Sequence, residues 1–296
     1  MDINFELYKV FYTAASSGSF SAAARELFIS QSAVSQSIKS LEESTGCPLF
    51  IRGPRNLRLT SAGEILFRHV EQAYNLIKGA ENKLLEMQSL RLGEIKIGVG
   101  DTILKYLLTP YLQQFIKAYP KIKMQIINRT SPGIIDSIKK GAVDFGIVTL
   151  PVDDKDIETS PFREVEDVFV ASQRFSELNG KVIKMNELCS LPLLLLQKES
   201  ATRRNLDEYF SFKGLKIVPE IELESMDLLV EYSRIGLGVA HVLKESAASL
   251  ISVGELFVLN LVEPIPKRKL CIAKLKNVPL SQAASEFSHK LISAVT

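Results

Sequence analysis

Hydrophobic positions repeat with three different spacings along the chain, and the changes of spacing divide it. Up to about residue 60 the period is helical. Leu7, Phe11 and Ala14 stand at i, i+4 and i+7 as one apolar stripe, which Ser16-Ser17-Gly18 ends. Ser21 is a candidate cap for a short second helix over residues 22–27, and Phe28-Ile29 form a tight connection. Ser30 is positioned to cap a third helix, from Gln31 to about residue 44, before Gly46 and Pro48 break the pattern. From 61 to about 89, Leu66, Val70, Ala73, Ile77, Ala80, Leu84 and Met87 alternate at spacings of four and three, a heptad seam. Gly79 inside it costs about 1 kcal/mol against Ala. Such a stripe can pack on its own chain or pair with a second copy; its narrowness and length favour a dimer helix.

Beyond Arg91-Leu92-Gly93, which reads as a hinge, strand-like runs alternate with helical ones. Strands are predicted over 94–99, 123–128, 145–149, 167–171, 193–197 and 217–222. Helices are predicted over 104–118, 134–140, 202–212 and 227–235. That alternation predicts βαβ units, mostly parallel sheets and two α/β subdomains. No repeat at a solenoid period and no low-complexity tract is present.

Composition narrows the picture. With 296 residues and 46% hydrophobic content, the chain can build two or three cores. It shows no charged-then-apolar leader, and no apolar run nears the roughly 18 residues that span a bilayer. The longest, Leu193-Leu194-Leu195-Leu196, reads as a short buried strand. No membrane partner is expected. Cys47, Cys189 and Cys271 are odd in number, far apart and without a CxxC, which predicts neither disulfides nor a zinc site and suits a cytoplasmic chain with buried, inert thiols. The net charge is +2, so any positive surface for nucleic acid must be local.

Residues 19–42, SFSAAARELFISQSAVSQSIKSLE, hold many short hydroxyls and few charges. Projected at about 100° per residue, Val34, Ile38 and Leu41 of the third helix form a core stripe. Ser32, Ser35, Gln36, Lys39 and Glu43 fall on the opposite side, and Gln31 and Ser32 lie at its N-terminal end. A helix, short turn and second helix with uncharged donors and acceptors is a form that enters the major groove of double-stranded DNA. Gln pairs bidentately with adenine, Ser meets base edges or phosphates, and Lys39 can meet guanine or backbone. Alone, a Ser or Gln would signify only a solvated helix face. The next segment, FIRGPRNLRLTSAGE at 50–64, reads as a β-hairpin wing in which Arg52, Arg55 and Arg58 supply the local charge. Ser21, Ser30, Gln31, Ser32, Ser35, Gln36, Lys39, Arg52 and Arg55 are the candidate DNA-binding residues. Thr60 or Ser61 can cap the long helix that follows. A rival reading gives these N-terminal helices to protein contacts; the wing arginines argue against it, and a steep salt dependence of DNA affinity separates the two.

The motifs SFSAAARELFISQSAVSQSIKSLEESTGCPLFIR and RLTSAGE resemble the N-terminal signature of the LysR-type transcriptional regulators over residues 5–64. A looser resemblance continues through DFGIV at 144–148, SATRRNLDEYF at 200–210 and IGLGVAHVL at 235–243, where His241 and Leu243 depart from the usual pattern. It implies an α+β multidomain chain: a winged helix-turn-helix (1–60), a dimerising linker helix (61–90) and an effector domain (91–296). That domain would comprise two Rossmann-like subdomains resembling periplasmic binding proteins, about 91–162 with 265–296, and 163–264. Crossings would fall near 160–163 and 262–265. Homodimers, often paired into homotetramers, are implied, with RNA polymerase a further candidate partner.

Ligands of open α/β sheets sit where strand carboxyl ends meet helix N-termini. Gly100-Asp101-Thr102, Arg129-Thr130-Ser131 and Ser200-Ala201-Thr202 are such turns. The resemblance carries over Thr102, Ser131 and Thr202, and more weakly Thr149, as effector-binding residues. Each hydroxyl could equally be only a helix cap. Hydroxyls with helix-end amides suit a small-molecule anion such as a carboxylate. Arg129 stands where the family often has a small residue. GVG at 98–100 begins a GxGxxG whose third position is Ile103, and GxxxxGK[ST], HExxH and GxSxG are absent. His69, His241 and His289 have no evident Cys or Ser partner and read as structural or exposed. No catalysis, cofactor or metal is expected.

Overall fold

The computed structural model describes residues 4–52, 57–88 and 93–293, without the side chains of residues 52 and 82–88. The chain forms two compact units: residues 1–85 with 140–142, and the remainder.

In the first unit, α1 (Phe5–Ser17) is capped by Asn4, whose side chain accepts from Glu6 N at 3.0 Å, and ends at Gly18 with φ +63°. It buries Val10, Phe11 and Ala14. Ser19, not Ser21, caps α2 (Phe20–Glu26), accepting from Ala22 N at 3.4 Å. The cause is Phe20: its ring meets Phe50 edge-on at 5.5 Å, and winding the helix two residues earlier carries it to the core. Phe28 makes the following turn with φ +54° and its side chain 96% exposed. Ser30 caps α3 (Gln31–Thr45), accepting from Ala33 N at 3.1 Å, and Gly46 ends it with φ +74°. Val34, Ile38 and Leu41 are its buried stripe.

The wing pairs β1 (Phe50–Arg52) with β2 (Leu57–Leu59) antiparallel, Phe50 opposite Leu59. Thr60 Oγ1 donates to Pro48 O at 2.7 Å and accepts from Gly63 N at 3.0 Å, joining the wing to α4 (Ser61–Gln88). The heptad seam divides. Leu66 and Val70 pack on the unit's own core, Ile77 is 42% exposed, and Ala73 and Ala80 are exposed. The side chains of Leu84 and Met87, and residues 91–92 of the expected hinge, lie outside the described residues.

The second unit opens with β3 (Gly93–Val99). The helix expected over 104–118 starts earlier, as α5 (Asp101–Ile103), then makes a π turn over Leu104–Leu108 before α6 (Thr109–Ala118). Pro110 lacks an amide and crowds the carbonyl four residues back; the π turn absorbs this, with Thr109 N bonding Leu104 O. β4 (Ile122–Asn128), α7 (Ser131–Lys139), β5 (Phe145–Thr149) and β6 (Ile157–Val165) follow. The next group is β7 (Asp167–Ser172), β8 (Val182–Ile183), α8 (Met185–Leu188), β9 (Leu193–Leu196) and α9 (Ala201–Phe212). Then come β10 (Ile221–Leu223), α10 (Met226–Arg234), β11 (Val239–Leu243), α11 (Lys244–Ser252), β12 (Leu256–Val258) and β13 (Asn260–Leu261). β14 (Arg268–Leu275) and α12 (Gln282–Ser293) end the described chain.

Two five-stranded sheets result, ordered β4-β3-β5-β14-β6 and β10-β9-β11-β7-β12. They are mixed rather than mostly parallel. In each, the fourth strand runs antiparallel to its neighbours, and it is the first strand added after the chain leaves the other sheet: β7 after β6, and β14 after β12 and the short β13, which pairs with β8. The first crossing therefore falls at Glu166, not over 160–163, which lie inside β6. Pro161 is tolerated there because β6 is an edge strand and its register shifts opposite Leu270 and Cys271. The strand expected over 217–222 narrows to β10 because Pro219 donates no ladder hydrogen bond, although Ile217 stays buried. Among the described residues no helix is long and apolar enough to cross a membrane. Cys271 is buried, its thiol pushed up to about 11 by that burial, while Cys47 and Cys189 are only half-buried.

Candidate functional site

The N-terminal end of α3 gathers a polar patch. Ser21 Oγ donates to Gln31 Oε1 at 3.2 Å, and the Ser30 and Ser32 hydroxyls lie 2.8 Å apart. All four side chains are exposed. Ser21 thus belongs to the patch although it is not the cap. Along the same face Gln36 is exposed, Ser35 half-buried, and Lys39 reaches Glu43 at 3.7 Å. The buried Val34–Ile38–Leu41 stripe fixes which face turns outward. Glu42 was no candidate, yet its Oε1 accepts from the amides of Leu49 at 2.7 Å and Phe50 at 3.2 Å. It locks the wing's first strand to α3. Arg52 has its backbone in β1, Arg58 is exposed in β2, and Arg55 lies outside the described residues.

The second unit holds a cleft of about 460 Å³ at the carboxyl ends of β3, β4, β5 and β9. It brings Thr102, Ser131, Thr149 and Thr202 together. Ser131 begins α7, and its Oγ accepts from Thr149 N at 3.2 Å, which leaves its own proton to donate. Ser200 is the N-cap of α9 but makes no side-chain cap bond, so the first-turn amides of α9 remain available beside Thr202. Arg203, 3% exposed, anchors that helix end through Leu196 O at 2.9 Å and Asp207 at 2.8 Å. Arg129 lines the rim and folds back, donating to Asn128 O at 2.9 Å.

Sequence reasoning missed Arg268, the cleft's buried cation. It stands at the head of β14 and donates through Nη2 to Asp167 Oδ1 at 2.7 Å, through Nε to Asp167 Oδ2, and through Nη1 to Thr149 Oγ1 at 3.4 Å. The pair joins the heads of the two strands that carry the crossings, with 5% and 2% side-chain exposure. The signal was available: a charge at the first position of an apolar strand pattern, Arg268 in RKLCIA and Asp167 in DVFVA. Nearby, His241 on β11 lies against Phe169 at 4.8 Å and is 2% exposed, with Nε2 unpartnered. It is buried, where the sequence left structural and exposed placements open.

Burial holds the His241 imidazole neutral, its pKa pushed down from 6.5 to about 4, with Asp167 opposing and Arg268 reinforcing the shift. The unfolded chain takes the proton first, so this contribution to stability is complete above pH 6.5 and falls away as pH drops towards 4. Between pH 6.5 and about 5 the loss is roughly 2 kcal/mol. Urea unfolding followed across that interval should show His241→Leu flattening the slope by this amount; equal slopes for both proteins would contradict it.

Comparison with known proteins agrees with this geometry. Residues 5–64 match the model of the bacterial regulatory helix-turn-helix protein, lysR family, and residues 88–295 match the LysR substrate binding domain. The chain is 30% identical over 264 residues to the HTH-type transcriptional activator CmpR of Synechocystis sp., covering 88% of this chain and 86% of that protein. It is 27% identical over 281 residues to a probable RuBisCO transcriptional regulator of Trichormus variabilis, covering 93% and 83%. In fold it is similar to a full-length, single-substitution variant of OxyR from Pseudomonas aeruginosa, with TM-score 0.77 at 22% identity over 99% and 95% of the two chains. It is also similar to CbnR in complex with its target DNA, with TM-score 0.70 at 17% identity over 99% and 100%. The two family matches, which between them span nearly the whole chain and fall on the capped α3 with its wing and on the unit that holds the hydroxyl-lined cleft, place the chain in the LysR family of transcriptional regulators: it is a sequence-specific DNA-binding regulator carrying the family's substrate-binding domain.

Proposed function

We propose that this regulator reads its operator through Ser21, Ser30, Gln31, Ser32, Ser35, Gln36 and Lys39, with the wing arginines on phosphates, and that a small carboxylate in the cleft changes how it binds or activates. The observation that carries the DNA reading is the exposed patch of Ser21, Gln31, Ser30 and Ser32 at the end of a core-anchored helix. Its groups are neutral donors and acceptors, the type that distinguishes base edges. In the cleft, Thr102, Ser131, Thr149 and Thr202 supply hydroxyls and α9 supplies uncapped amides. Together they favour an anion.

The working unit is a cytoplasmic homodimer or homotetramer that acts by binding rather than by catalysis. Residues 1–60 serve as the DNA-binding domain, 61–90 as the dimer helix and 91–296 as the effector domain. Phe5, Tyr8, Leu66, Val70, Ala73 and Tyr74 line an apolar groove of about 240 Å³ beside α4, a seat for the partner's helix. Two reading helices then enter successive major grooves, and the effector shifts the balance of states only through differential affinity for them. A footprint on the DNA upstream of this protein's own gene tests the reading. Gln31→Ala should weaken the specific site by about 1–3 kcal/mol and relax base preference, while Arg52→Ala should weaken all sequences together. A Gln31→Ala protein that binds every sequence as the parent does would refute the base-reading role. Equal footprint length and bend with and without a bound carboxylate would remove the effector switch.

A further inference from the structure

Part of the cleft's rim is negatively charged. Asp101, Glu199 and Glu224, all exposed, line the cleft beside two cations, Arg129 and Arg268. Both cations are engaged: Arg268 pairs with Asp167, and Arg129 folds back onto Asn128 O. Arg204 donates to the backbone carbonyl of Glu199 at 2.8 Å, not to its carboxylate. Among the described residues none of the three carboxylates makes an ion pair. Asp101 and Glu224 share one lip. Asp101 begins α5 and stands one turn before Lys105, while Glu224 follows β10 and stands just ahead of Asp227 in α10. Lys105 Nζ meets Asp227 Oδ2 at 2.6 Å, and the Tyr106 hydroxyl donates to the same carboxylate. These bonds tie the two helix starts together, and they spend the lysine that would otherwise neutralise Asp101 at i, i+4.

We propose that the effector carries an ammonium group as well as a carboxylate, as an amino acid does. This rests on the carboxylate reading of the cleft and adds the second charge. The carboxylate takes the end formed by Ser131, Thr149 and the open first-turn amides of α9. The ammonium takes the lip, where Asp101 and Glu224 offer carboxylate oxygens with no cation of their own. An ammonium only donates and an ionised carboxylate only accepts, so the pairing is complete on both sides. Ile147, Leu196 and Leu270 line the cleft between these ends and suit a short hydrocarbon chain. A second carboxylate in place of the ammonium would meet like charge at the lip, so dicarboxylates are rejected. A chain that ends without charge gains nothing from Asp101 and Glu224.

The test is calorimetric titration of the full chain with three acids of equal chain length. L-ornithine carries an ammonium beside its carboxylate and another at the far end, pentanoate carries none, and glutarate has a second carboxylate instead. L-ornithine should bind saturably, with pentanoate and glutarate weaker by roughly tenfold or more. Asp101→Asn and Glu224→Gln, both at exposed positions, should each weaken L-ornithine by about threefold or more without weakening pentanoate. Pentanoate or glutarate binding as tightly as L-ornithine would overturn the ammonium and leave the carboxylate reading of the cleft standing. So would full L-ornithine affinity in the protein carrying both substitutions. Absence of binding by all three acids would overturn both.

Discussion

Arg268→Ala should destabilise the second unit by about 3–5 kcal/mol, because it leaves a buried carboxylate without its counter-charge. The remaining Asp167 side chain is 2% exposed, and its neighbour His241 is held neutral by burial and cannot replace the cation. The loss is much larger than the pair's net worth, since two desolvated charges repay little beyond their own desolvation. Asp167→Leu combined with Arg268→Met should therefore recover most of the stability lost in Arg268→Ala. Urea unfolding of the parent and these two variants gives the comparison directly. A loss below about 1 kcal/mol for Arg268→Ala would mean that water reaches the pair, as it does for surface ion pairs.

Gly63→Ala should disable the first unit while sparing the second. A Cβ at residue 63 would fall well inside van der Waals contact distance of the Leu49 carbonyl oxygen and 3.0 Å from Leu59 Cδ2. Backbone on one side and the wing on the other leave no flexible group to move aside, so the penalty sits at the upper end for overpacking, about 3 kcal/mol or more. Differential scanning should show the DNA-binding unit melting first, with DNA affinity lost at temperatures the parent tolerates. Gly79→Ala, in open space on the same helix, should instead gain up to about 1 kcal/mol. Equal melting of the parent and Gly63→Ala would refute the steric argument.

The RLTSAGE motif thus has a physical reading that its resemblance did not supply: Thr60 ties wing to helix, and Gly63 lets the two approach. The strongly periodic parts of the chain were legible in the residues. The stripe Val34, Ile38 and Leu41 fixed the exposed face of α3, and β5 falls on the expected 145–149. What was not legible depended on contacts distant in sequence. Ser19 displaced Ser21 as cap because Phe20 is drawn to Phe50, thirty residues away. β6 reads as polar with an internal Pro because it is an edge strand, and only its pairing with β14 makes it a strand. The cleft hydroxyls announce themselves as helix starts, whereas Arg268 acquires meaning only opposite Asp167, 101 residues earlier.

The position of β14 also sets an order of events during synthesis. It lies between β5 and β6, yet it is made last of the three, after every strand of the other sheet. Until the ribosome delivers residues 268–275, the first sheet has a strand-wide gap flanked by two unpaired edges. The 119 residues separating Thr149 from Arg268 take on the order of ten seconds at about 5–20 residues per second. Through that interval the nascent chain presents the backbone of the apolar run 145–149, the kind of open edge on which chains aggregate. The second sheet, all of whose strands are made between β6 and β14, can close first. The regulator's most exposed moment is therefore on the ribosome, before it has met either DNA or ligand.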